Sequence, residues 1–387
     1  MLLVVFGVAL GASLFSLLLI LPLPIPITSP VYRYLGIQKP RIIGFLPYFL
    51  SYRATNNYNP YINVLTYFSV TIDEHGHVIT LAAPNQEEPD WHDLHTKDIQ
   101  QKLASAKNNG AILSLAITGQ SEATISALIK NPQQSAKNLL QDLAPLISTY
   151  GFSDINIDLE SFVKATTQDQ TQFTAFIKTL SRALHKQNIT VTVDIAPIAF
   201  IHPTVIDPLR VAQVSDFVLL MTYDFSTVLS GNTGPIAPLG GMGIENEFDV
   251  TKAVAIAKQE IDPAKIILGI PLYGYEWDSL SNVPHAATIP NTGQAASNRR
   301  MLQTFNTSCT TCITAKDPLA KETIFIFQDK AGDPYYHQVF LFTQQDFSDR
   351  ITFTVKNNLA GVGLWALGYE GNTLLQPLNL YKSSFSL

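Results

Sequence analysis

Eight short apolar runs, separated by stretches of helical periodicity, constrain the fold of this 387-residue chain more than any other feature. The runs cover residues 42–47, 62–70, 111–117, 155–160, 189–196, 217–223, 266–271 and 361–367. Strands that alternate with helices are typical of βα units around a parallel sheet. An open doubly wound sheet would usually carry a Gly-rich phosphate turn after its first strand, and the sequence has none there. We therefore predict an α/β fold of the (β/α)8 TIM-barrel type.

The stretch between the seventh and eighth runs is too long for a single helix. We predict that about residues 278–344 form a small α+β insertion, which would provide one wall of a cleft. The barrel as a whole is expected to occupy residues 41–387.

The first residues of the chain are strongly apolar. Residues 2–21 are almost continuously hydrophobic, and residues 1–28 contain no charge. An uncleaved anchor helix or a cleaved signal peptide would explain this segment (residues 1–29), which a Pro-containing linker (residues 30–40) follows. We favour the anchor, because a basic start and a small-residue cleavage site are missing. The protein would then be extracytoplasmic, membrane-anchored or secreted, although Arg33, Lys39 and Arg41 would favour a cytoplasmic location for the chain after the anchor.

Composition excludes several classes of protein. Hydrophobic residues make up 46% of the chain and charged residues 14%, which excludes a disordered chain. No basic stripe is present, so we expect no nucleic-acid partner. Cys309 and Cys312 form a lone Cys-x-x-Cys, which is too few ligands for structural zinc. They form either a local disulfide, our first expectation, or two free thiols. We expect a monomer without metal or cofactor.

The fourth run carries three polar side chains at alternating positions. It reads Gly151-Phe-Ser-Asp-Ile-Asn-Ile-Asp-Leu-Glu160, and an extended strand would project Asn156, Asp158 and Glu160 from the same face. A solvated strand end is the ordinary explanation of such a pattern. Here the interleaved isoleucines and the low overall charge favour a carboxylate pair instead, since buried acids are costly. Two such acids push their pKa values apart, so that one holds a proton while the other stays charged.

Other polar and aromatic residues also fall at the ends of predicted strands. Met221-Thr-Tyr-Asp224 closes the sixth run, Tyr273 follows the seventh, and Trp365 lies in the eighth. Catalytic groups of a TIM barrel gather at the carboxyl ends of its strands. We therefore expect these residues to share one face with the acidic pair, although Tyr223 and Trp365 could also be ordinary core aromatics.

Side by side, these segments resemble motifs of glycoside hydrolase family 18, the chitinase-like barrels. The segments are Ser153-Asp-Ile-Asn-Ile-Asp-Leu-Glu160 against the fourth-strand pattern Asp-Gly-x-Asp-x-Asp-x-Glu, Met221-Thr-Tyr-Asp224 against Met-x-Tyr-Asp, Gly269-Ile-Pro-Leu-Tyr-Gly274 against Gly-x-Pro-x-Tyr-Gly, the third-strand region Lys107-Asn-Asn-Gly-Ala-Ile-Leu-Ser-Leu115, and the eighth-strand Trp365. The ending Gly361-Val-Gly-Leu-Trp-Ala-Leu-Gly-Tyr-Glu370, with Gly234-Pro-Ile-Ala-Pro238, is most similar to the bacterial spore-cortex and peptidoglycan N-acetylglucosaminidase branch.

The resemblance implies a substrate-assisted mechanism, in which the 2-acetamido oxygen of the sugar attacks its own anomeric carbon. It implies that Glu160 is the general acid and base, that Asp158 binds the acetamide N–H, and that Tyr223 holds the acetamide carbonyl. Asn156 would complete the catalytic group by donating to Asp158. The substrate-binding residues implied in the same way are Trp365, Asp224, Met221, Phe45 and Tyr273.

The fourth strand departs from the family pattern at four positions. Ser153 replaces the first Asp, Asp154 the Gly and Asn156 the middle Asp, while Leu159 stands where an aromatic residue is common. Ser153 in place of the family's first Asp removes a buried charge that would support the acidic cluster. We therefore expect the pKa of Asp158 to differ from the family's usual setting.

The leading hypothesis is a retaining hydrolase of β-linked N-acetylglucosamine polymers, with peptidoglycan ahead of chitin. A lectin-like glycan-binding protein without turnover is the alternative, although retention of Glu160 argues against it. A membrane-tethered interaction protein is a third, weaker hypothesis.

Overall fold

The structure is a computed structural model that describes residues 39–161, 163–241, 248–301, 312–371 and 373–384. Fifteen strands form the sheets of these described residues. In chain order they are β1 (Arg41–Pro47), β2 (Val64–Ile72), β3 (Leu81–Ala83), β4 (Gln86–Glu87), β5 (Ile112–Gly119), β6 (Asp154–Asp158), β7 (Thr190–Ile195), β8 (Phe217–Leu220), β9 (Ile266–Pro271), β10 (Tyr273–Ser279), β11 (Gln294–Ser297), β12 (Ile313–Lys316), β13 (Thr323–Phe327), β14 (Tyr336–Leu341) and β15 (Gly361–Trp365).

Eight of these strands form a closed parallel barrel in the order β1-β2-β5-β6-β7-β8-β9-β15, with β15 pairing again with β1. Each barrel strand coincides with one of the eight apolar runs, so the predicted barrel is confirmed. Among the strands that end earlier than their runs are β6, which ends at Asp158, and β8, which ends at Leu220. Because ladder pairing stops at these points, Glu160 and Tyr223 lie on the segments that follow the strands, at the carboxyl end of the barrel.

Helices connect the barrel strands. Their bounds are Pro89–Leu94, Lys97–Asn108, Glu122–Leu128, Pro132–Tyr150, Thr167–His185, Pro208–Ala212, Val250–Glu260, Gln344–Lys356 and Gln376–Ser383, with short 3₁₀ turns at Tyr48–Leu50, Pro197–Phe200 and Pro263–Lys265. Their apolar faces cover the outside of the barrel, as in Thr167–His185, which buries Phe173, Phe176 and Leu180.

The helix Pro132–Tyr150 determines where the acidic strand starts. It follows Asn131 as N-cap, and Gly151 ends it with a left-handed backbone (φ 76°), a conformation that glycine adopts without steric cost. The chain reverses there and enters β6 three residues later. The sequence Gly151-Phe-Ser therefore serves as the turn that points β6 into the barrel.

A second, antiparallel sheet lies in the sequence between the last two barrel strands. Its order is β11-β10-β14-β13-β12, and residues 298–301 are helical. Trp277, Ile324 and Phe340 form part of the apolar core on this sheet. The sheet starts at Tyr273, directly after β9, so its first strand continues from the rim of the barrel.

Part of the sequence interpretation falls outside the described residues. The anchor or signal segment (1–29) and most of the linker (30–40) do so, as does Cys309. Among the residues that are described, no helix has the length and apolarity needed to cross a membrane.

Candidate active site

The inner face of β6 carries the polar residues that the alternation predicted. Ile155 and Ile157 are fully buried on the outer face, against the surrounding helices, and this leaves Asp154, Asn156 and Asp158 directed into the barrel. Parallel β5 and β7 flank the strand on both sides. The acids are therefore held on a central strand of rigid geometry.

The deepest of these acids, Asp154, forms an ion pair across the barrel interior. Arg41, the first residue of β1, donates from Nη2 to Asp154 Oδ1 at 2.8 Å, and the Asp154 side chain is 1% exposed. The hydroxyls of Ser114, Thr190 and Thr192 donate to the same carboxylate at 2.7, 2.5 and 3.2 Å. A buried charge is thus present one residue after Ser153, the position where the family pattern led us to expect its loss.

Arg41 differs from the sequence prediction, which placed it among the cations flanking the apolar N-terminal segment. It belongs to β1 and is buried. Its guanidinium also lies 4.5 Å from the ring centroid of Phe217, where a cation is favoured. Arg41 therefore acts inside the barrel, at the end opposite the candidate catalytic residues.

Two residues further toward the carboxyl end of β6, Asn156 is hydrogen-bonded to an acid of the neighbouring strand. Its Nδ2 donates to Asp194 Oδ1 of β7 at 2.7 Å, and both side chains are buried. Burial and the charge of Asp158 raise the pKa of Asp194 well above its ordinary value, while the hydrogen bond from Asn156 acts in the opposite direction. The amide nitrogen thus donates to Asp194 and not, as the resemblance had implied, to Asp158. Asp194 is not among the site residues that the sequence motifs predicted.

Asp158 and Glu160 form a hydrogen-bonded pair at the mouth of the barrel. Burial and the neighbouring charge of Glu160 raise the pKa of Asp158 well above its ordinary value, and the hydrogen bond to Glu160 adds to this effect. Solvent reaches Glu160, yet the barrel wall partly desolvates its carboxyl group, and the Asp224 charge raises its pKa further. The hydrogen bond from Asp158 lowers the pKa of Glu160. The two carboxyls are thus arranged to share a proton.

Asp224 connects this pair to two tyrosines. It has a left-handed backbone (φ 59°), and its Oδ1 accepts from the hydroxyls of Tyr273 at 2.5 Å and Tyr275 at 2.8 Å. Burial raises the pKa of Tyr223, and the charges of Asp194, Asp158, Glu160 and Asp224 raise it further. The phenol of Tyr223 therefore keeps its proton and can only act as a hydrogen-bond donor or neutral acceptor.

An aromatic group forms the apolar side of the site. The indole of Trp365, at the carboxyl end of β15, makes edge contacts with Phe45 and Phe68 at centroid distances of 5.8 and 4.6 Å. Phe45 is 2% exposed and Met221 8%, and both belong to a cluster in the barrel core against which Trp365 and Tyr223 pack. Trp365 remains partly exposed, and its buried side packs on Phe45.

The structure thus brings together residues from seven barrel strands that are far apart in sequence. Asp194 and Phe68 were not among the predicted site residues. Asp194 had a readable signal, because it is the single acid in the apolar strand Thr190–Ile195. The contact of Tyr275 with Asp224 had no such signal, since it depends on how β10 leaves the barrel.

Metal binding and the cysteines complete the description. Within the described ranges, no group of three or more His, Cys, Asp or Glu side chains is arranged to hold a metal ion. Cys312 is disulfide-bonded. Because Cys309 is not among the described residues, its pairing with Cys312 stays a prediction.

Comparison with known proteins identifies the family of the chain. The model of the family "Glycosyl hydrolases family 18" matches residues 41–370. The cortical fragment-lytic enzyme of Bacillus subtilis is 22% identical over 351 residues, covering 86% of this chain and 72% of that protein. Probable chitinase 10 of Drosophila melanogaster is 25% identical over 223 residues, covering 54% of this chain and 9% of that protein.

Solved structures show the same fold. A family 18 chitinase from Cycas revoluta, in complex with (GlcNAc)3, superposes with a TM-score of 0.69 at 16% identity, covering 89% of this chain and 98% of that chain. The chain spans less than two thirds of the length of the curated relatives it matches first. Cortex-lytic enzymes and chitinases are both among its relatives, as the motifs predicted. With a family match that extends from β1 to the residues after β15, the chain belongs to glycoside hydrolase family 18.

Proposed function

We propose that this protein is a retaining hydrolase of β-linked N-acetylglucosamine polymers, with Glu160 as general acid and base. The observation that carries the proposal is the Asp158–Glu160 pair, two hydrogen-bonded carboxyls at the mouth of the barrel whose pKa values are both raised. A group that donates and then accepts a proton works best with a pKa near the operating pH.

In the proposed first step, Glu160 transfers a proton to the glycosidic oxygen. The acetamido oxygen of the same sugar forms a bond to the anomeric carbon as the bond to the leaving oxygen breaks. This yields an oxazolinium ion and a free sugar hydroxyl. In the second step Glu160 removes a proton from water, which attacks the anomeric carbon and opens the ring with net retention.

Asp158 and Tyr223 would act on the acetamide. When Asp158 is ionised it can accept the acetamide N–H and balance the positive charge that develops on the ring nitrogen. The phenol of Tyr223 can donate to the acetamide oxygen and hold it in line with the anomeric carbon. Both groups are fixed by the barrel before substrate arrives, which is the condition under which such contacts contribute most.

Trp365 would provide the apolar floor beneath the reacting sugar. Its edge contacts with Phe45 and Phe68 fix the indole, so a sugar ring can stack on it without an entropic penalty for ordering the side chain. Phe45 and Met221 are then supports within the binding site.

A lectin-like protein without turnover is the competing function. Such a protein needs the aromatic floor but has no use for a second acid that shares a proton with Glu160. The retained pair therefore supports hydrolysis. The names of the relatives, which include a cortical fragment-lytic enzyme and chitinases, support peptidoglycan or chitin as the polymer class.

We also propose an extracytoplasmic location, anchored or secreted. The apolar residues 2–21 and the disulfide at Cys312 support it, since disulfides persist chiefly in oxidising compartments. Fractionation of the producing cells tests this: antibody signal in the membrane or medium is expected, and signal confined to the cytoplasm would contradict it.

The substrate is tested by digesting purified peptidoglycan and colloidal chitin in parallel, with Glu160→Gln as the blank. Mass spectrometry of the released ends identifies the bond that is cut. Release of N-acetylglucosamine reducing ends by the parent alone is expected. Equal release by parent and variant, or release from neither polymer, would contradict the proposal.

A further inference from the structure

A third buried acid, Asp194, lies against the catalytic strand and is not used in the steps above. It is 3% exposed and belongs to β7, whose other inward residues, Thr190 and Thr192, both donate to Asp154. The β6–β7 register pairs Asn156 with Thr192, so Thr192 and Asp194 both bond diagonally to a β6 residue closer to the N-terminal end. Asp194 therefore lies between the levels of Asn156 and Asp158.

The orientation of the Asn156 amide leaves one of its polar atoms without a hydrogen-bond partner among the described residues. Its nitrogen donates to Asp194 Oδ1, whereas its oxygen Oδ1 is buried and has no partner among the described residues. Oδ1 of Asp158, two residues along the same face of β6, is also buried without a partner there. The Asn156 oxygen is an acceptor, and the Asp158 oxygen becomes a donor when Asp158 is protonated.

We propose that Asp194 is a positioning residue that supplies the third acid of the site from the neighbouring strand. The proposal rests on the proposed function. The family pattern has an Asp at position 156, and here the amide of Asn156 stands there with the carboxylate displaced to Asp194. Asp194 fixes the amide nitrogen, so that the amide oxygen faces Asp158. That oxygen can then accept a hydrogen bond from the protonated carboxyl of Asp158.

The ionisable groups that face Asp194 are Asp154 and Asp158 on β6, Glu160 after β6, and Tyr223 after β8. Because burial and the neighbouring acids raise the pKa of Asp194 itself, it acts on Asp158 through the amide of Asn156 and not through a negative charge of its own. An amide oxygen that faces Asp158 accepts a hydrogen bond from the protonated carboxyl only, and therefore raises the pKa of Asp158.

The test compares the parent with Asp194→Val, which cannot accept a hydrogen bond from the Asn156 nitrogen. The amide can then turn its N–H toward Asp158, which favours the ionised carboxyl and lowers the pKa of Asp158. We expect kcat to fall by about one to two powers of ten while KM changes little. Thr192→Val is the matched control: it places the same side chain on the same face of β7 without removing a hydrogen bond to Asn156, and should leave the pKa of Asp158 and kcat in place.

Rescue by a conservative variant distinguishes positioning from mere folding. Asp194→Asn keeps an oxygen that can accept from the Asn156 nitrogen, and it should return the pKa of Asp158 and kcat close to those of the parent. A pKa of Asp158 that is the same in the parent and Asp194→Val would overturn the proposal, as would an Asp194→Asn variant that behaves like Asp194→Val.

A titration keeps this test separate from that of the proposed function. Aspartate labelled with ¹³C at the carboxyl carbon reports the pKa of Asp158 by NMR, whether or not a substrate is turned over. We expect that pKa to be lower in Asp194→Val than in the parent and in Asp194→Asn. An unchanged value would refute the role of Asp194, whereas a parent that titrates as expected but cleaves no polymer would refute only the hydrolase.

Discussion

The guanidinium of Arg41 and the carboxylate of Asp154 meet 2.8 Å apart inside the barrel, joining the first residue of β1 to the first residue of β6. Asp154 lies four strand positions, roughly 13 Å, before Asp158 on the same strand. The ion pair therefore fixes the base of the strand whose upper end carries the catalytic acids.

Removal of one partner of this pair should destabilise the protein strongly. In Arg41→Met the buried Asp154 carboxylate loses its counter-ion, and we expect the free energy of unfolding to fall by about 3–5 kcal/mol. The double variant Arg41→Met with Asp154→Leu should recover most of that loss. Urea unfolding followed by circular dichroism measures both.

The control for that measurement is Arg210→Met, which breaks the exposed ion pair with Asp207. An exposed pair contributes about 0–1 kcal/mol, so little change is expected. If Arg41→Met were no more destabilising than Arg210→Met, the structural role given to the buried pair would be wrong.

Glu160→Gln should abolish turnover while leaving glycan binding intact. The amide cannot transfer a proton, and general acid–base groups contribute about two to four powers of ten in rate. Hydrolysis of a methylumbelliferyl chito-oligosaccharide measures the first effect, and calorimetric binding of the unlabelled oligosaccharide the second. Glu260→Gln, at the exposed end of the helix Val250–Glu260, makes the same chemical change away from the site and should behave as the parent.

Asp158→Ala should lower kcat by about two to four powers of ten on substrates that carry the N-acetyl group. The reason is that the acetamide loses its hydrogen-bond partner and the developing charge loses its counter-charge. Near-parental kcat in this variant would count against substrate assistance. Asp158→Asn separates the two effects, because its amide oxygen can still accept the acetamide N–H without providing the charge.

The pH profile should respond to Asp224. Its negative charge raises the pKa of Glu160, so Asp224→Asn lowers that pKa. Because Glu160 must be protonated to act as the acid, activity at high pH is lost earlier, and the basic limb of kcat/KM shifts to lower pH by about one unit. Asp216→Asn removes the same charge ahead of β8, at the opposite end of the barrel, and should not move the limb. A common shift in both variants would show a general charge effect in place of a local one.

The barrel was predictable because its strands are buried on both faces. A strand such as Ile266–Pro271 is a continuous apolar run, and such runs separated by helical stretches allow few other folds. The acidic pair was predictable for a related reason, since alternation directs Asn156 and Asp158 to one side of β6 and Glu160 follows two residues after the strand ends.

Contacts between strands were not predictable in the same way. Whether Asp194 meets Asn156 or Asp158 depends on the stagger of β7 against β6, which leaves no trace in either strand's own pattern. The place of Arg41 was unpredictable for a similar reason. Next to an apolar segment it resembles a flanking charge, and only closure of the barrel brings Asp154 within reach.

In the proposed mechanism the sugar's own acetamide attacks the anomeric carbon while Glu160 supplies and then removes a proton. This is measured by ¹H NMR of the first product anomer released from a chito-oligosaccharide by the parent protein, recorded before mutarotation. We expect the β-anomer, with none formed by Glu160→Gln. Initial release of the α-anomer, or equal release by Glu160→Gln, would rule out the proposed mechanism.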